Sequence, residues 1–149
     1  MNLYLVAAVI IILIIVIYLQ LRTETRKITI INSAGEKISI EVEIADTALK
    51  KAKGLMFRQE LEQDKGMLFL FNTTDFHSFW MMNTKISLEA IHFSEEGKIV
   101  DIVQMDQCNT NKCKQYVPKV KSRYVLEVNH GFSKRNSVAI NDSLVLDFE

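Results

Sequence analysis

The stretch Ile38-Ser39-Ile40-Glu41-Val42-Glu43-Ile44 alternates between apolar and polar residues over its whole length. Because successive side chains of a β-strand point to opposite faces, this pattern predicts a strand with one buried face and one wet face. Lys27 to Ile31 is a second candidate strand just before it, and the residues from Asn32 to Glu36 have the composition of a turn. The two segments predict a β-hairpin at the start of a mainly β domain.

Working outward, the sequence predicts more short strands than helices. The run Met67 to Phe71 is apolar on both faces, which is typical of a covered central strand. Asp46-Thr47 resembles a helix cap and Gly54 can end a short helix, while a helical turn is predicted after Gly131. The other candidate strands are Phe76–Met81, Leu88–Phe93, Ile99–Met105, Tyr124–Val128 and Leu144–Phe148. Short connections between these strands favour a single compact β-sandwich or barrel, jelly-roll-like, with one or two short helices.

The run from Leu3 to Leu19 carries no charge, no Gly and no Pro. At about 1.5 Å per residue it spans roughly 25 Å, near the lower limit for crossing a bilayer. A cleaved secretory signal is the alternative, but no Lys or Arg precedes the run and no Ala-x-Ala site follows it. We therefore predict one N-terminal transmembrane helix, with an anchor at 1–21, a tether at 22–27 and one β domain at 28–149.

These residues alone do not decide on which side of the membrane the domain lies. Arg22, Arg26 and Lys27 follow the apolar run, and positive flanks tend to stay in the cytoplasm. Cys108 and Cys113 are spaced so that they could close a small disulfide in an oxidising compartment, or they are two free cysteines.

Charge and motifs exclude several function classes. All charged residues of the 149-residue chain lie at Arg22 or beyond, and 18 basic side chains balance 18 acidic ones. The zero net charge gives no electrostatic reason to expect a nucleic-acid partner. The sequence contains no Gly-x-Ser-x-Gly, no phosphate-binding glycine loop and no His-Glu-x-x-His. We expect no cofactor, and the sequence favours a protein without catalytic activity.

Five strings in the same order carry a family resemblance: Gly54-Leu55-Met56-Phe57-Arg58, Gly66-Met67-Leu68-Phe69, Phe79-Trp80-Met81, Asn83-Thr84, and Leu126-Glu127-Val128-Asn129 with Gly131. Over nearly all of 28–149 the chain resembles the family of domain of unknown function 192. The resemblance implies a compact, mainly β domain of jelly-roll or barrel-like form, often exported or anchored, with no established activity. Cys108, Cys113 and Tyr116 resemble a Cys-rich loop of many members, which implies a structural bridge. We therefore expect the β domain of this single-pass membrane protein on the extracytoplasmic side.

The densest cluster of unusual side chains lies between His77 and Thr84. In an alternating strand Trp80 and Met82 share one face, and the ordinary interpretation is that such residues pack a core or cover an edge. A partly open Trp80 could instead stack a sugar ring or an apolar ligand. The candidate ligand-binding residues are Arg58, Trp80, Met82, Asn83 and Thr84.

Two function hypotheses follow from these residues. The leading one is a non-catalytic, membrane-anchored β domain that binds a small ligand, a glycan or a partner protein at the Trp80 end. The alternative is an enzyme or a soft-metal (copper) handling protein that uses His77, Cys108 and Cys113, since thioethers, thiolates and imidazole suit Cu(I). The sequence has no Met-x-x-Met or Cys-x-x-Cys repeat to bring such donors together, so no metal site is assigned.

Overall fold

A computed structural model describes residues 3–21, 24–110 and 112–146 of the chain. The helices are α1 (Leu3–Leu21), α2 (Ala48–Lys53) and α3 (Phe132–Arg135). The strands are β1 (Thr25–Ile31), β2 (Lys37–Ala45), β3 (Lys65–Asp75), β4 (Phe79–Trp80), β5 (Leu88–Phe93), β6 (Ile99–Met105), β7 (Gln115–Tyr116), β8 (Ser122–Asn129) and β9 (Ser143–Leu146). The mainly β character predicted from the sequence is confirmed.

Seven of these strands form one mixed sheet in the order β6-β5-β8-β3-β2-β1-β9. β2 and β3 run parallel, whereas the other neighbouring pairs are antiparallel. A bridge between Lys98 and Ser143 joins the two ends of the sheet, and the Ile99 amide donates to the Asp142 carbonyl at 2.9 Å. The sheet therefore curls until its edges meet, so of the two predicted forms, sandwich or barrel, the two packed sheets of a sandwich are not what the strands build.

The parallel β2–β3 pair requires a crossover connection, which is formed by residues 46–64 and contains α2. The Thr47 hydroxyl caps α2 by accepting the Lys50 amide at 3.3 Å. Gly54 ends the helix with φ 49° and ψ −137°, a backbone conformation that a side chain would disfavour. The crossover then passes over one face of the sheet before it enters β3.

Strand alternation gives the sheet two apolar faces with separate cores. Leu68 points to a first core with residues of β1, β2, β5, β8 and α3, whereas Met67 and Phe69 point to a second core on the other face. The second core is covered by Leu55 of the crossover and by residues near the two-stranded β4–β7 ribbon. This second face carries the cleft described below.

The amino-terminal prediction needs correction. α1 has 19 residues, and most of its apolar side chains from Tyr4 to Leu19 are exposed. Within the described residues, no helix combines the length and apolar character that a bilayer crossing demands. The predicted transmembrane anchor is therefore wrong, and with it the predicted single-pass membrane location with the β domain on the extracytoplasmic side.

Two other boundaries differ from the prediction. β1 begins at Thr25, inside the segment 22–27 that was predicted to be a tether, and it pairs with β2 through Thr25 and Glu43. Residues 22 and 23 lie outside the described part of the chain, as do residues 147–149 at the end of the strand predicted to reach Phe148.

Candidate functional site

A small cleft opens on the second face of the sheet, between the crossover and the β4–β7 ribbon. Its volume is about 30 Å³, enough for roughly two water molecules. We call it the Trp80 cleft. It is lined by Lys51, Ala52, Lys53, Gly54, Leu55, Met56, Phe69, Phe79, Trp80, Thr84 and Glu127.

The carboxyl group of Glu127 forms part of the wall of this cleft. Glu127 lies in the middle of β8 and shares the second face with Val125, because Leu126 and Val128 point to the first core. Its side chain is 4% exposed, and no described residue hydrogen-bonds its carboxylate. Burial raises the pKa of Glu127 to about 8, so that the group is mostly neutral at pH 7. A buried carboxyl with a shifted pKa in a cleft is typical of a functional site.

Gly54 leaves a methyl-sized space beside this carboxyl group. A Cβ atom at Gly54 would lie 3.6 Å from Phe69 Cζ, 3.8 Å from Glu127 Oε2 and 3.9 Å from the Lys51 carbonyl oxygen. These are ordinary van der Waals distances, so the space is open rather than filled by the neighbouring residues. An aromatic ring edge and two oxygen atoms surround it.

Trp80 stands at the edge of the cleft and is 46% exposed. It is held by the β4–β7 ribbon, in which Trp80 pairs with Gln115 and Phe79 pairs with Tyr116. Phe79 packs into the second core, with its ring edge-on to Phe69 at 5.0 Å between centroids. The ribbon therefore packs one aromatic residue of β4 against the second core and presents the next one to solvent beside the cleft.

Two residues in the left-handed region of backbone space hold the loops beside the cleft together. Phe57 has φ 66° and Asn83 has φ 56°, and the Phe57 amide donates to the Asn83 carbonyl at 2.8 Å. Asn tolerates this conformation, whereas a bulky residue such as Phe rarely adopts it. Phe57 is nevertheless 64% exposed, so burial of its ring does not explain the strain.

The structure brings together part of the predicted ligand-binding set. Trp80 and Thr84 both line the cleft, and the Thr84 hydroxyl donates to the Met82 carbonyl at 3.3 Å. Met82 is half-buried and Asn83 is exposed in the turn between them. Arg58 lies elsewhere: it pairs with Glu43 and lines a separate groove of about 320 Å³.

The residues of the alternative hypothesis have other partners. Cys108 and Cys113 form a disulfide with a Cα–Cα distance of 5.8 Å, which confirms the predicted bridge. His77 stacks on Phe71 at 3.5 Å between centroids, and its Nε2 lies 3.0 Å from the Thr73 carbonyl. Within 3–21, 24–110 and 112–146, no three His, Cys, Asp or Glu side chains are grouped so that they could hold a metal ion.

Glu89 is the other fully buried carboxylate of the central strands, and its hydrogen bonds show a structural role. It accepts the Gly131 amide at 3.1 Å, the Ser133 amide at 2.9 Å and the Gln104 side chain. It therefore fixes the start of α3. Glu89 and Glu127 lie on adjacent strands, but Ala90 rather than Glu89 is in register with Glu127, so the two carboxylates point to opposite faces.

His92 is buried on the second face, and its ring is held by partners within the core. Its Nδ1 lies 3.0 Å from the Ser122 hydroxyl, and the Phe79 ring meets it edge-on. Burial lowers the pKa of His92 to about 4, so the ring is neutral at pH 7. Because both partners are enclosed, the pair is a buried hydrogen bond of the core.

Glu127 and Gly54 were not among the predicted site residues. The available signal for Glu127 was its position in Tyr124–Val128, where apolar residues occupy both strand faces, because a lone acid in such a strand has no wet side. Gly54 carried no comparable signal, since a glycine that ends a helix needs no further explanation.

Comparison with known proteins places the chain in a family. The family model described as "Uncharacterized ACR, COG1430" (DUF192) matches residues 29–146. A UPF0127 protein of Pyrococcus abyssi (strain GE5 / Orsay) is 30% identical over 110 residues, which cover 70% of this chain and 84% of that protein. A Sinorhizobium meliloti 1021 structure named "putative transcription regulator" has a TM-score of 0.75 at 28% identity, covering 83% of this chain and 94% of that one. A protein of unknown function from Novosphingobium aromaticivorans DSM 12444 has a TM-score of 0.73 at 30% identity, covering 82% of this chain and 85% of that one. The chain therefore belongs to the uncharacterised family of domain of unknown function 192.

Proposed function

We propose that the domain is a non-catalytic binding module whose site is the Trp80 cleft. The single observation that carries this proposal is the unpartnered carboxyl group of Glu127, which is almost fully buried and yet lines a cleft beside a half-exposed tryptophan. Leaving a buried polar group without a partner costs about 1–3 kcal/mol, so an incoming group that bonds to it recovers that free energy. The ligand is a small molecule or a protruding group of a partner protein.

The size of the cleft limits what can enter it. An enclosed volume of about 30 Å³ holds one or two heavy atoms, not a whole ring. A larger ligand therefore rests on the exposed part of Trp80 and inserts a narrow tip toward Glu127. Aromatic side chains favour this kind of contact because they offer a large apolar area with few rotatable bonds.

Binding is favoured over catalysis because the lysines that line the cleft with Glu127 are engaged elsewhere: the Lys51 ammonium lies 4.9 Å from the centre of the Phe71 ring, and Lys53 is exposed. Acid–base and nucleophilic mechanisms require two or more groups with distinct roles within hydrogen-bond reach. The hydroxyl of Thr84, which also lines the cleft, is bonded to the Met82 carbonyl. The alternative use of Cys108 and Cys113 as thiolates conflicts with their bond to each other.

The test titrates the full chain with four small probes: n-butylamine, n-butanol, sodium butyrate and methyl β-D-glucopyranoside. Trp80 is the one tryptophan of the sequence, so its emission reports on the cleft without labelling. The amide signal of Gly54 in a ¹H–¹⁵N spectrum reports on the opposite wall. We expect at least one probe to change both signals saturably while the amide of Gly35, in the β1–β2 turn, stays unchanged.

Trp80→Ala should weaken that binding about tenfold, as followed by the Gly54 amide, because the ligand loses its aromatic support. Phe76→Ala is the matched control, since Phe76 is similarly exposed, at 49%, but does not line the cleft. If none of the four probes produces a saturable change at Gly54, or if both variants weaken binding equally, the cleft is not a binding site.

A further inference from the structure

We infer that the Trp80 cleft recognises a primary ammonium group, inserted between the Glu127 carboxylate, the Lys51 carbonyl and the surrounding aromatic rings. This inference rests on the proposed binding function and names the chemical class of the ligand. It concerns a free alkylamine or the side chain of a lysine, which present the same group.

The first argument is that oxygen atoms meet at the space left by Gly54. Glu127 Oε2 and the Lys51 carbonyl oxygen lie 3.8 and 3.9 Å from the position of a Cβ atom at Gly54. Lys51 is in the last turn of α2, where carbonyl groups lack intrahelical partners. The backbone carbonyl of Lys50 accepts the Gly54 amide, and that of Lys53 accepts the Met56 amide. No described residue outside the helix donates to the carbonyl of Lys51. Two unsatisfied acceptors therefore face the same space.

The second argument is that an ammonium group has three N–H donors and no acceptor. The Thr84 hydroxyl lines the same cleft, and because its proton is used by the Met82 carbonyl its lone pairs are left for a donor. A carboxylate ligand would bring more acceptors toward these oxygens. An alcohol can donate to one of them only. The three N–H donors of an ammonium group match the three acceptors, which are the Glu127 carboxylate, the Lys51 carbonyl and the Thr84 hydroxyl.

The third argument is the apolar wall of the cleft. Phe69, Phe79 and Trp80 line it together with Glu127, so the carbon atoms next to an ammonium group meet apolar ring surface rather than water. A volume of about 30 Å³ admits the ammonium nitrogen and its first carbon, while the rest of a narrow alkyl chain lies along the exposed part of Trp80. Burial of a cation is favourable when a carboxylate and other acceptors replace its water shell.

The charged groups around Glu127 are compatible with this ligand. On α2, Lys51 and Lys53 line the cleft; the Lys51 ammonium lies 4.9 Å from the centre of the Phe71 ring, and Lys53 is exposed. On β2, Glu43 shares the second face and is paired with Arg58, and on β5 the buried His92 is neutral at pH 7. Since burial raises the pKa of Glu127 to about 8, an ammonium ligand must drive loss of that proton. Its affinity should therefore rise about tenfold for each pH unit between about pH 6 and 7.5, where Glu127 is mainly protonated.

The experiment compares n-butylamine, n-butanol and sodium butyrate on the full chain, by Trp80 emission and the Gly54 amide shift. We expect n-butylamine to bind at least about tenfold more tightly than the other two, and more tightly as the pH rises from 6 to 7.5. Nα-acetyl-lysine methylamide distinguishes the two sources of the ammonium group. If it binds as tightly as n-butylamine, the ligand is a lysine side chain; if this bulkier probe is excluded, the ligand is a free amine.

Glu127→Gln keeps the shape of the side chain and should weaken n-butylamine binding at least about thirtyfold and remove its pH dependence. Glu96→Gln, an exposed site in the β5–β6 turn, makes the same chemical change and should have no effect. If Glu127→Gln fails to fold, Gly54→Ala provides a second test, because its Cβ would occupy the space itself.

The outcomes separate the inference from the function on which it rests. If n-butanol, butyrate or the glucoside binds and n-butylamine does not, the ligand class is overturned and the binding function stands. If n-butylamine binds with the same affinity to the wild type and to Glu127→Gln, the ammonium does not reach the cleft. If no probe shifts the Gly54 amide, both proposals fail.

Discussion

At the scale of single residues, Glu127 shows how burial changes the protonation of a side chain that usually lies at the surface. A carboxyl group on an exposed strand would ionise near pH 4.5, but the second face of the sheet encloses it between the crossover and β3. Desolvation penalises the charged form and shifts the pKa upward. The same burial that makes Glu127 a candidate ligand group makes the folded state sensitive to alkaline pH.

Glu127 should destabilise the fold as the pH rises from about 4.5 to about 8. Over that interval the folded state retains a proton that the unfolded state releases, because burial raises the folded pKa from 4.5 to about 8. Stability present at pH 4.5 is therefore lost progressively, by at most about 5 kcal/mol. Urea unfolding of the wild type and of Glu127→Gln at several pH values measures the effect. The variant should lack this slope, and a wild-type slope that persists in Glu127→Gln would assign it to another group.

His92 should lower the stability of the fold as the pH falls from 6.5 toward 4. Burial lowers the pKa of His92 from 6.5 to about 4, so below pH 6.5 the unfolded state takes up a proton that the folded state does not. Stability is fully present above pH 6.5 and is lost as the pH falls toward 4, by about 3 kcal/mol. Unfolding free energies of wild type and His92→Phe between those pH values test this, and parallel curves for the two proteins would contradict it.

At the scale of elements, the β4–β7 ribbon is two residues long on each side and cannot be stable alone. Three contacts support it: Phe79 packs into the second core, the Tyr116 hydroxyl accepts the Asp106 amide at 2.9 Å, and the Cys108–Cys113 bridge closes the loop before β7. Cys108 also packs against the second core. The disulfide therefore acts on the strand that holds Trp80.

Replacing both cysteines by serine should lower the free energy of unfolding by about 2 kcal/mol, since the bridge closes a short loop. Trp80 emission should shift to longer wavelength in the folded protein, because a loosened β7 leaves the ring more exposed. Thermal unfolding with and without a reducing agent checks the first expectation. The double variant is the control, as reduction should change the wild type alone, and an unaltered wild-type melting temperature on reduction would remove the structural role of the bridge.

At the scale of the whole molecule, β3 is the strand on which both cores depend, and Gly66 permits its contact with β8. A Cβ atom at Gly66 would lie 2.5 Å from the Glu127 carbonyl oxygen, a backbone atom that cannot turn aside. Gly66→Ala should therefore cost about 3 kcal/mol of stability. Gly35→Ala is the control: its Cβ meets nothing within 4 Å, and the cost of about 1 kcal/mol comes from its φ of 79°. Equal losses in the two variants would show that packing against β8 is not the cause.

Local patterns predicted the elements better than their arrangement. The bounds of β5 and β6 follow from the turn residues between them, and the cap of α2 follows from a hydrogen bond between residues three apart. The predicted strand Phe76–Met81 shortens to Phe79–Trp80, because its partner β7 has only two residues. The parallel β2–β3 pair and the closing bridge are contacts between distant segments, which no local pattern contains.

The candidate site likewise contains residues that a local pattern predicted and residues that depend on distant segments. Trp80 and Thr84 were predicted as unusual side chains within one short segment, and the cleft contains both. Arg58 was grouped with them by residue type, but its ion pair with Glu43 on β2 takes it to another groove. Glu127 depends on burial by a distant segment, so its raised pKa becomes visible only when the crossover is in place over β8.

The crossover between β2 and β3 supplies most of the residues that shape the cleft. More than half of the cleft wall, from Lys51 to Met56, comes from a connection that contributes no strand to the sheet. Gly54 and Leu55 are fixed by the backbone turn and by the second core, whereas Lys51, Ala52, Lys53 and Met56 are not part of either core. A library confined to these four positions is therefore the direct way to redirect the binding preference of this fold.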